Sequence, residues 1–119
     1  CAGAPAGFEV YSGEDALTLP MLAVGCAGVV SVASHLAGIR IGEMIARFEA
    51  GEVGEAARIH QELGPIFGAC FLASGNPACV KRGLELIGVP AGGLRLPLVP
   101  ASEADTETMR TACAGLGLL

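Results

Sequence analysis

Lys81, Tyr11 and His35 are the side chains that we consider first as a nucleophile or a general base. Lys81 is the only lysine, and a lysine amine can attack a ketone when its surroundings lower its pKa. It falls inside a predicted helix, whereas Tyr11 falls on a predicted strand. His35 is a candidate general base, but a lone histidine without a carboxylate partner is more often structural. We therefore favour a structural role for His35.

The cysteines form no pattern that is typical of metal or redox chemistry. There is no CxxC pair and no histidine at metal-ligand spacing, so we expect neither a metal nor a redox cofactor. Free cysteines usually pack as small hydrophobic residues, and free thiols are typical of a reducing cytoplasm. The five positions are Cys1, Cys26, Cys70, Cys79 and Cys113.

Composition limits the possible function classes. Hydrophobic residues make up 52% of the 119 residues and charged residues 16%, which favours a folded chain with an aliphatic core. The net charge of −5 and a single adjacent basic pair, Lys81-Arg82, argue against nucleic-acid binding. The longest uncharged stretch, residues 16–39, is interrupted by proline, glycine and polar residues, so we expect no membrane span. No secretion signal is visible, and the cysteine at position 1 suggests a piece of a longer protein.

The first third of the sequence predicts a strand, a helix and a second strand. Phe8 to Ser12 is rich in β-forming residues, and the helix that follows runs through Leu22. The S-x-x-D pattern from Ser12 to Asp15 predicts an N-cap for this helix. The second strand, Gly28 to Val32, has little polar alternation and is typical of a strand buried on both faces. A strand, helix and strand within about 25 residues indicate a βαβ unit with a parallel sheet.

The rest of the sequence is predicted to be helical. The first helix spans residues 37–50, the second contains Pro65, where we expect a kink, and Asn76-Pro77 opens the third with the proline at its first position. An extended linker at 94–100 precedes a last helix with an N-cap at Ser102. The predicted buried stripes are Ile41, Met44, Ile45 and Phe48; Ala56, Ile59, Leu63, Ile66, Phe67 and Cys70; Val80, Leu84 and Ile87; and Met109, Cys113 and Leu116. A two-stranded parallel sheet cannot cover its own edges, so we expect earlier chain or a partner to complete it.

Four segments together resemble one family. They are FEVYSGEDALTLPMLAVGCAGVVSVAS at 8–34, NPACVK at 76–81, LRLPLVP at 94–100 and the terminal GLGLL. In this order and spacing they resemble the C-terminal part of the dihydrodipicolinate synthase family, within the pyruvate-dependent class I aldolases that include N-acetylneuraminate lyase. The resemblance implies an α/β fold, a C-terminal fragment of a TIM (β/α)8 barrel. Residues 1–50 would be its last two βα units, with strands 7 and 8, and residues 51–119 an appended helical extension.

The resemblance also implies a reaction. Members of this family condense pyruvate with an aldehyde, in the synthase aspartate semialdehyde on the path to lysine, through a Schiff base on a lysine of the sixth strand. That strand has no counterpart in the sequence, so we expect the chain to be inactive alone, with the boundary of the piece just after the Schiff-base strand. Lys81 matches the structural lysine of the family's NPxxVK pattern. The relay tyrosine of the family lies elsewhere, so we favour packing for Tyr11.

The resemblance implies a substrate-binding wall at the carboxyl ends of the two strands, where barrel enzymes build their sites. Ser12 and Gly13 match the family's SG turn beside the substrate, and Val30 matches the position whose main chain lies beside bound pyruvate. Each has a purely structural alternative: Ser12 as a helix cap, Gly13 as turn chemistry and Val30 as core filler. His35, in place of a common asparagine, and Cys79, in place of a proline, depart from the pattern. A second function stays open: a non-catalytic helical module that self-associates through the open sheet edges.

Overall fold

The computed structural model describes residue 1 and residues 3–119. A short parallel sheet lies at one end, and four of the helices form a layered helical region that holds most of the core. In chain order the elements are β1 (Tyr11–Ser12), a 3-10 turn (Asp15–Leu17), α1 (Thr18–Ala23), β2 (Gly28–Val29), α2 (Ser34–Glu49), α3 (Val53–Ala69), α4 (Ala78–Leu86) and α5 (Glu103–Gly115).

The predicted βαβ unit with a parallel sheet is confirmed, but both strands are shorter than predicted. Tyr11 pairs with Gly28 and Ser12 pairs with Val29 in a parallel ladder. The second strand ends at Val29 because the amide groups of Val32 and Ala33 donate to a carboxylate instead of to a neighbouring strand. The first strand begins at Tyr11 rather than Phe8, and just before it the Val10 carbonyl accepts from the Ala27 amide at 2.8 Å.

The predicted helix cap at Ser12 is wrong. The residue that caps the 3-10 turn is Glu14, whose side chain accepts from the amide of Ala16. The Ser12 hydroxyl accepts from the Glu14 amide at 3.2 Å and donates to the Glu14 carbonyl at 2.8 Å. These two short-range bonds fold the chain into a turn directly after β1. The 3-10 turn then begins at Asp15.

The predicted helices are present, with different ends. α2 begins at Ser34, and the predicted start at Ala37 coincides with a local break, since Ala37 has φ −122° and ψ 26°. α3 continues through Pro65. Pro77 is the N-cap of α4 and not its first helical residue, so that part of the prediction is wrong. The predicted cap of α5 is confirmed, because the Ser102 hydroxyl accepts from the Asp105 amide at 3.1 Å.

One continuous core joins both ends of the chain. α2 packs on α3, and α5 packs on both α3 and α4. The predicted stripes are buried except for Ile45, Phe48, Leu84, Ile87 and Leu116, which are half-buried at the margin of the core. The fully enclosed side chains include Met44, Ile59, Leu63, Ile66, Met109, Cys70 and Cys113. These residues come from both sides of residue 50, so a single core spans the predicted boundary. The division into 1–50 and 51–119 stays a prediction from the sequence.

Within residues 1 and 3–119, no helix combines the length and the apolar character needed to cross a membrane.

Candidate functional site

The carboxyl ends of β1 and β2 lie side by side. The Val30 amide donates to the Ser12 carbonyl at 2.8 Å, and the Ala27 amide donates to the Val10 carbonyl at 2.8 Å. These two bonds flank the paired residues of the ladder. Parallel strands place their carboxyl ends at the same edge, so Ser12, Gly13 and Val30 meet at one edge of the sheet.

The three residues differ in what they present to solvent. The Ser12 side chain is 3% exposed, and its hydroxyl is engaged with the Glu14 backbone. Gly13 is exposed, and a β-carbon at that position would meet nothing within 4 Å. Val30 is 72% exposed in this chain. The edge therefore presents backbone at Gly13 and an apolar side chain at Val30, with no ionisable group among these three residues.

Asp15 is a further residue beside these strand ends. It is the acidic first-turn residue of the 3-10 turn, as the pattern after Ser12 predicts. Its carboxylate is 2% exposed and accepts from the amides of Val32 at 3.0 Å and Ala33 at 2.9 Å and from the Ser31 hydroxyl. These bonds to the segment before α2, 16 to 18 residues further along the chain, have no local signal in the sequence.

Lys81 and Tyr11 are both engaged away from the strand ends. The Lys81 ammonium donates to the carbonyls of Gly93 at 2.7 Å and Gly92 at 3.5 Å, and so holds the linker before α5. The Tyr11 hydroxyl donates to the Glu9 carboxylate at 2.5 Å. That hydrogen bond, with the nearby negative charge of Glu9, raises the pKa of Tyr11 above its ordinary value. The Tyr11 ring lies over Gly28, where an added β-carbon would be 3.3 Å from it.

A cleft of about 330 Å3 adjoins the end of β2. Its walls include Ser31, His35, Asn76 and Lys81. His35 is exposed at the start of α2, and its side chain has no hydrogen-bond partner in the described part of the chain. The cleft therefore combines polar side chains of α2 and α4 with Ser31, the residue that follows Val30.

The cysteines are free thiols. Burial raises the pKa of the Cys70 thiol to about 12 and also raises the pKa values of Cys79 and Cys113, which keeps these thiols protonated and unreactive. The sulfur atoms of Cys1 and Cys26 lie 3.6 Å apart. Over residues 1 and 3–119, no three side chains of His, Cys, Asp or Glu are grouped so that they could hold a metal ion.

A parallel βαβ unit that runs into a helical extension, with a candidate site at the carboxyl ends of its strands, defines a piece of a βα-repeat protein. The sequence profile of the Dihydrodipicolinate synthetase family matches residues 2–114. The chain belongs to this family.

The curated relatives are named 4-hydroxy-tetrahydrodipicolinate synthase. That of Heliobacterium modesticaldum is 54% identical over 111 residues, which are 93% of this chain and 37% of the relative. That of Moorella thermoacetica is 49% identical over 116 residues, which are 98% of this chain and 39% of the relative. The chain thus spans about two-fifths of the length of the curated relatives it matches.

The solved structures similar to this chain include three dihydrodipicolinate synthases. The enzyme of Thermotoga maritima has a TM-score of 0.90 at 39% identity over 94% of this chain and 38% of that one. The Bacillus anthracis enzyme has a TM-score of 0.89 at 42% identity over 95% of this chain and 38% of that one. The structure of the Acinetobacter baumannii enzyme complexed with pyruvate has a TM-score of 0.86 at 29% identity.

Proposed function

We propose that this chain supplies strands 7 and 8 and the C-terminal helices of a (β/α)8 barrel that condenses pyruvate with aspartate semialdehyde on the path to lysine. The observation that carries the proposal is the hydrogen bond from the Val30 amide to the Ser12 carbonyl. It brings the strand ends together at the edge where barrel enzymes bind substrate. The family membership and the similarity to synthase structures over nearly the whole chain support the same conclusion.

The role of the chain in this reaction is to bind and orient pyruvate. The exposed backbone at Gly13 allows close approach of a small carboxylate ligand. Val30 places its main chain beside this backbone, and its side chain adds an exposed apolar surface. The Schiff-base lysine belongs to the sixth strand of the barrel and lies outside this chain. Lys81 already donates to two carbonyl oxygens, which is the arrangement of a structural lysine. The chain alone therefore forms no adduct with pyruvate.

Reconstitution of the barrel tests this function. The part of the Heliobacterium modesticaldum synthase that precedes its matched segment would be joined upstream of Cys1, and the chimera would be treated with pyruvate and borohydride. We expect a trapped pyruvate adduct on a lysine of the added part, as in the intact Heliobacterium enzyme, and none on this chain alone. A folded chimera that traps no adduct would contradict the proposal.

A second candidate is a non-catalytic module that self-associates. The observation that favours it is the exposed apolar surface beside the sheet, formed by Phe8, Tyr11 and Val30. In this case the chain alone would form a defined oligomer and would not bind pyruvate, and adding the missing barrel part would create no site. In both cases we expect a cytoplasmic protein with free thiols, without a cofactor and without nucleic-acid or membrane partners.

A further inference from the structure

The Asp15 carboxylate connects the turn after β1 to the segment after β2. One oxygen accepts from the Ser31 hydroxyl, and the other accepts from the amides of Val32 and Ala33. With the side chain 2% exposed, these bonds form where water competes little. Hydrogen bonds to a buried charged group are stronger than neutral ones.

Asp15 and Ser31 together hold the segment that leads into α2. The Asp15 carboxylate accepts from the amides of Val32 and Ala33, the two residues immediately before the helix, and a negative charge is favourable at the amino end of a helix. The first amide of α2 itself, that of Ser34, donates to the Ser31 hydroxyl at 2.8 Å. Because the same hydroxyl donates to Asp15, the carboxylate also supports this cap.

Val30 lies between two fixed points. On one side its amide donates to the Ser12 carbonyl, and on the other side residues 31–33 are held by Asp15. Ser12 is itself fixed to the Glu14 backbone, next to Asp15. A closed loop of hydrogen bonds therefore sets the direction of the Val30 main chain relative to the turn at Ser12 and Gly13.

We propose that Asp15 is a positioning residue of the pyruvate-binding wall, which orients the Val30 main chain against the Ser12–Gly13 turn without contacting the substrate. This inference rests on the proposed function. Small errors in the placement of binding groups are expensive in catalysis, since a displacement of about 1 Å can cost roughly 100-fold in rate. Loss of the carboxylate is therefore expected to lower kcat by about 10- to 100-fold.

The test compares Asp15→Ala and Asp15→Asn in the reconstituted chimera with Asp105→Ala as the matched control. Asp105 is likewise buried in the first turn of a helix and accepts from the amide and hydroxyl of Ser74 at 2.8 and 2.5 Å. It lies in α5, away from the strand ends. Replacing it removes a comparable anchor without touching the candidate wall.

The readouts are kcat, KM for pyruvate, melting temperature and hydrogen exchange of the Val32 and Ala33 amides. For Asp15→Ala we expect faster exchange at both amides and a fall in kcat, whereas Asp105→Ala lowers the melting temperature and leaves kcat unchanged. Asp15→Asn keeps an oxygen that can accept from both amides, so we expect it to recover part of the lost kcat, with a remaining loss of about threefold or more.

Three results would overturn the inference. They are a kcat of Asp15→Ala equal to that of the wild type, an equal loss of kcat in Asp105→Ala, or unchanged exchange at Val32 and Ala33. If Asp15→Ala does not fold, Asp15→Asn decides, and a kcat equal to that of the wild type overturns the inference. A wild-type chimera that folds but traps no pyruvate overturns the proposed function, whereas a trapped adduct with unaffected Asp15 variants overturns only the role of Asp15.

Discussion

His60 lies in α3, with its imidazole against the ring of Phe67 at a centroid distance of 5.8 Å. Its Nδ1 atom is buried and has no hydrogen-bond partner among the described residues. Burial disfavours the charged imidazolium, and it lowers the pKa of His60 from its ordinary value. The folded chain therefore favours the neutral form of this side chain.

This lowered pKa predicts a pH-dependent stability. The unfolded chain binds a proton at His60 near pH 6.5, whereas the folded chain binds it only at lower pH. The free energy of unfolding therefore falls as the pH decreases from about 6.5 through the folded-state pKa. We expect His60→Leu to lose less stability than the wild type between pH 7.5 and pH 5, as measured by urea unfolding. An identical loss in both proteins would contradict the explanation.

Individual residues also show which features could be predicted from the sequence and which could not. The parallel pairing of the two strands was predictable, and it brings the carboxyl ends with Ser12, Gly13 and Val30 together. Their role toward a substrate stays a prediction. The exposure of Val30 could not be predicted, since its hydrophobic neighbours in sequence indicate a strand buried on both faces. Asp15 was assigned to its own helix because capping patterns are local, whereas its partners are 16 to 18 residues away.

At the scale of the elements, the packing of α4 depends on a small residue. Gly83 is buried, and a β-carbon there would lie 2.8 Å from Leu36 Cδ1 and 3.0 Å from Met109 Sδ. These atoms belong to α2 and α5. The glycine therefore allows three helices to approach one another, and its role is packing because φ is not positive.

Gly83→Ala is expected to lower the free energy of unfolding by about 1–3 kcal/mol, because Leu36 and Met109 must move within a filled core. The matched control is Gly42→Ala in α2, where a β-carbon meets nothing within 4 Å. We expect the control to stabilise the chain by about 0.5–1 kcal/mol through its higher helix propensity. Urea unfolding measures both, and two stabilised variants would refute the packing role.

The helices themselves were predictable from the periodicity of apolar residues, and their ends were not. The stripes of α3 and α5 fall on the core as predicted, because a 3.6-residue period can bury a single face of a helix. The early start of α2 combines a local contact, the Ser34 amide donating to the Ser31 hydroxyl, with the distant Asp15 carboxylate. Only the local contact could have been found from the sequence.

On the scale of the whole molecule, the chain is elongated, with extents of 44 × 30 × 21 Å. Its radius of gyration is 15.5 Å, compared with about 13.5 Å for a compact domain of this length. The sheet is at one end, and the apolar side chains of Phe8, Tyr11 and Val30 remain exposed there. Exposed strand edges with apolar side chains favour association.

We expect the chain on its own to self-associate through this surface. Val30→Glu should shift the distribution in sedimentation velocity toward monomer, because a charge on a buried contact must be desolvated. The matched control is Val53→Glu, since Val53 is an exposed valine at the start of α3. A wild-type chain that remains a compact monomer at all concentrations would contradict this expectation, as would an equal effect of both variants.

The contact between Cys1 and Cys26 shows on which side of the sheet a polypeptide or a label joined at position 1 would lie. Cys26 precedes β2, and its sulfur lies 3.6 Å from that of Cys1. Position 1 is therefore near the amino ends of the strands, whereas Ser12, Gly13 and Val30 lie at the carboxyl ends. A tag or fluorophore joined ahead of Cys1 would extend from the opposite side of the sheet and leave the edge with Ser12, Gly13 and Val30 open.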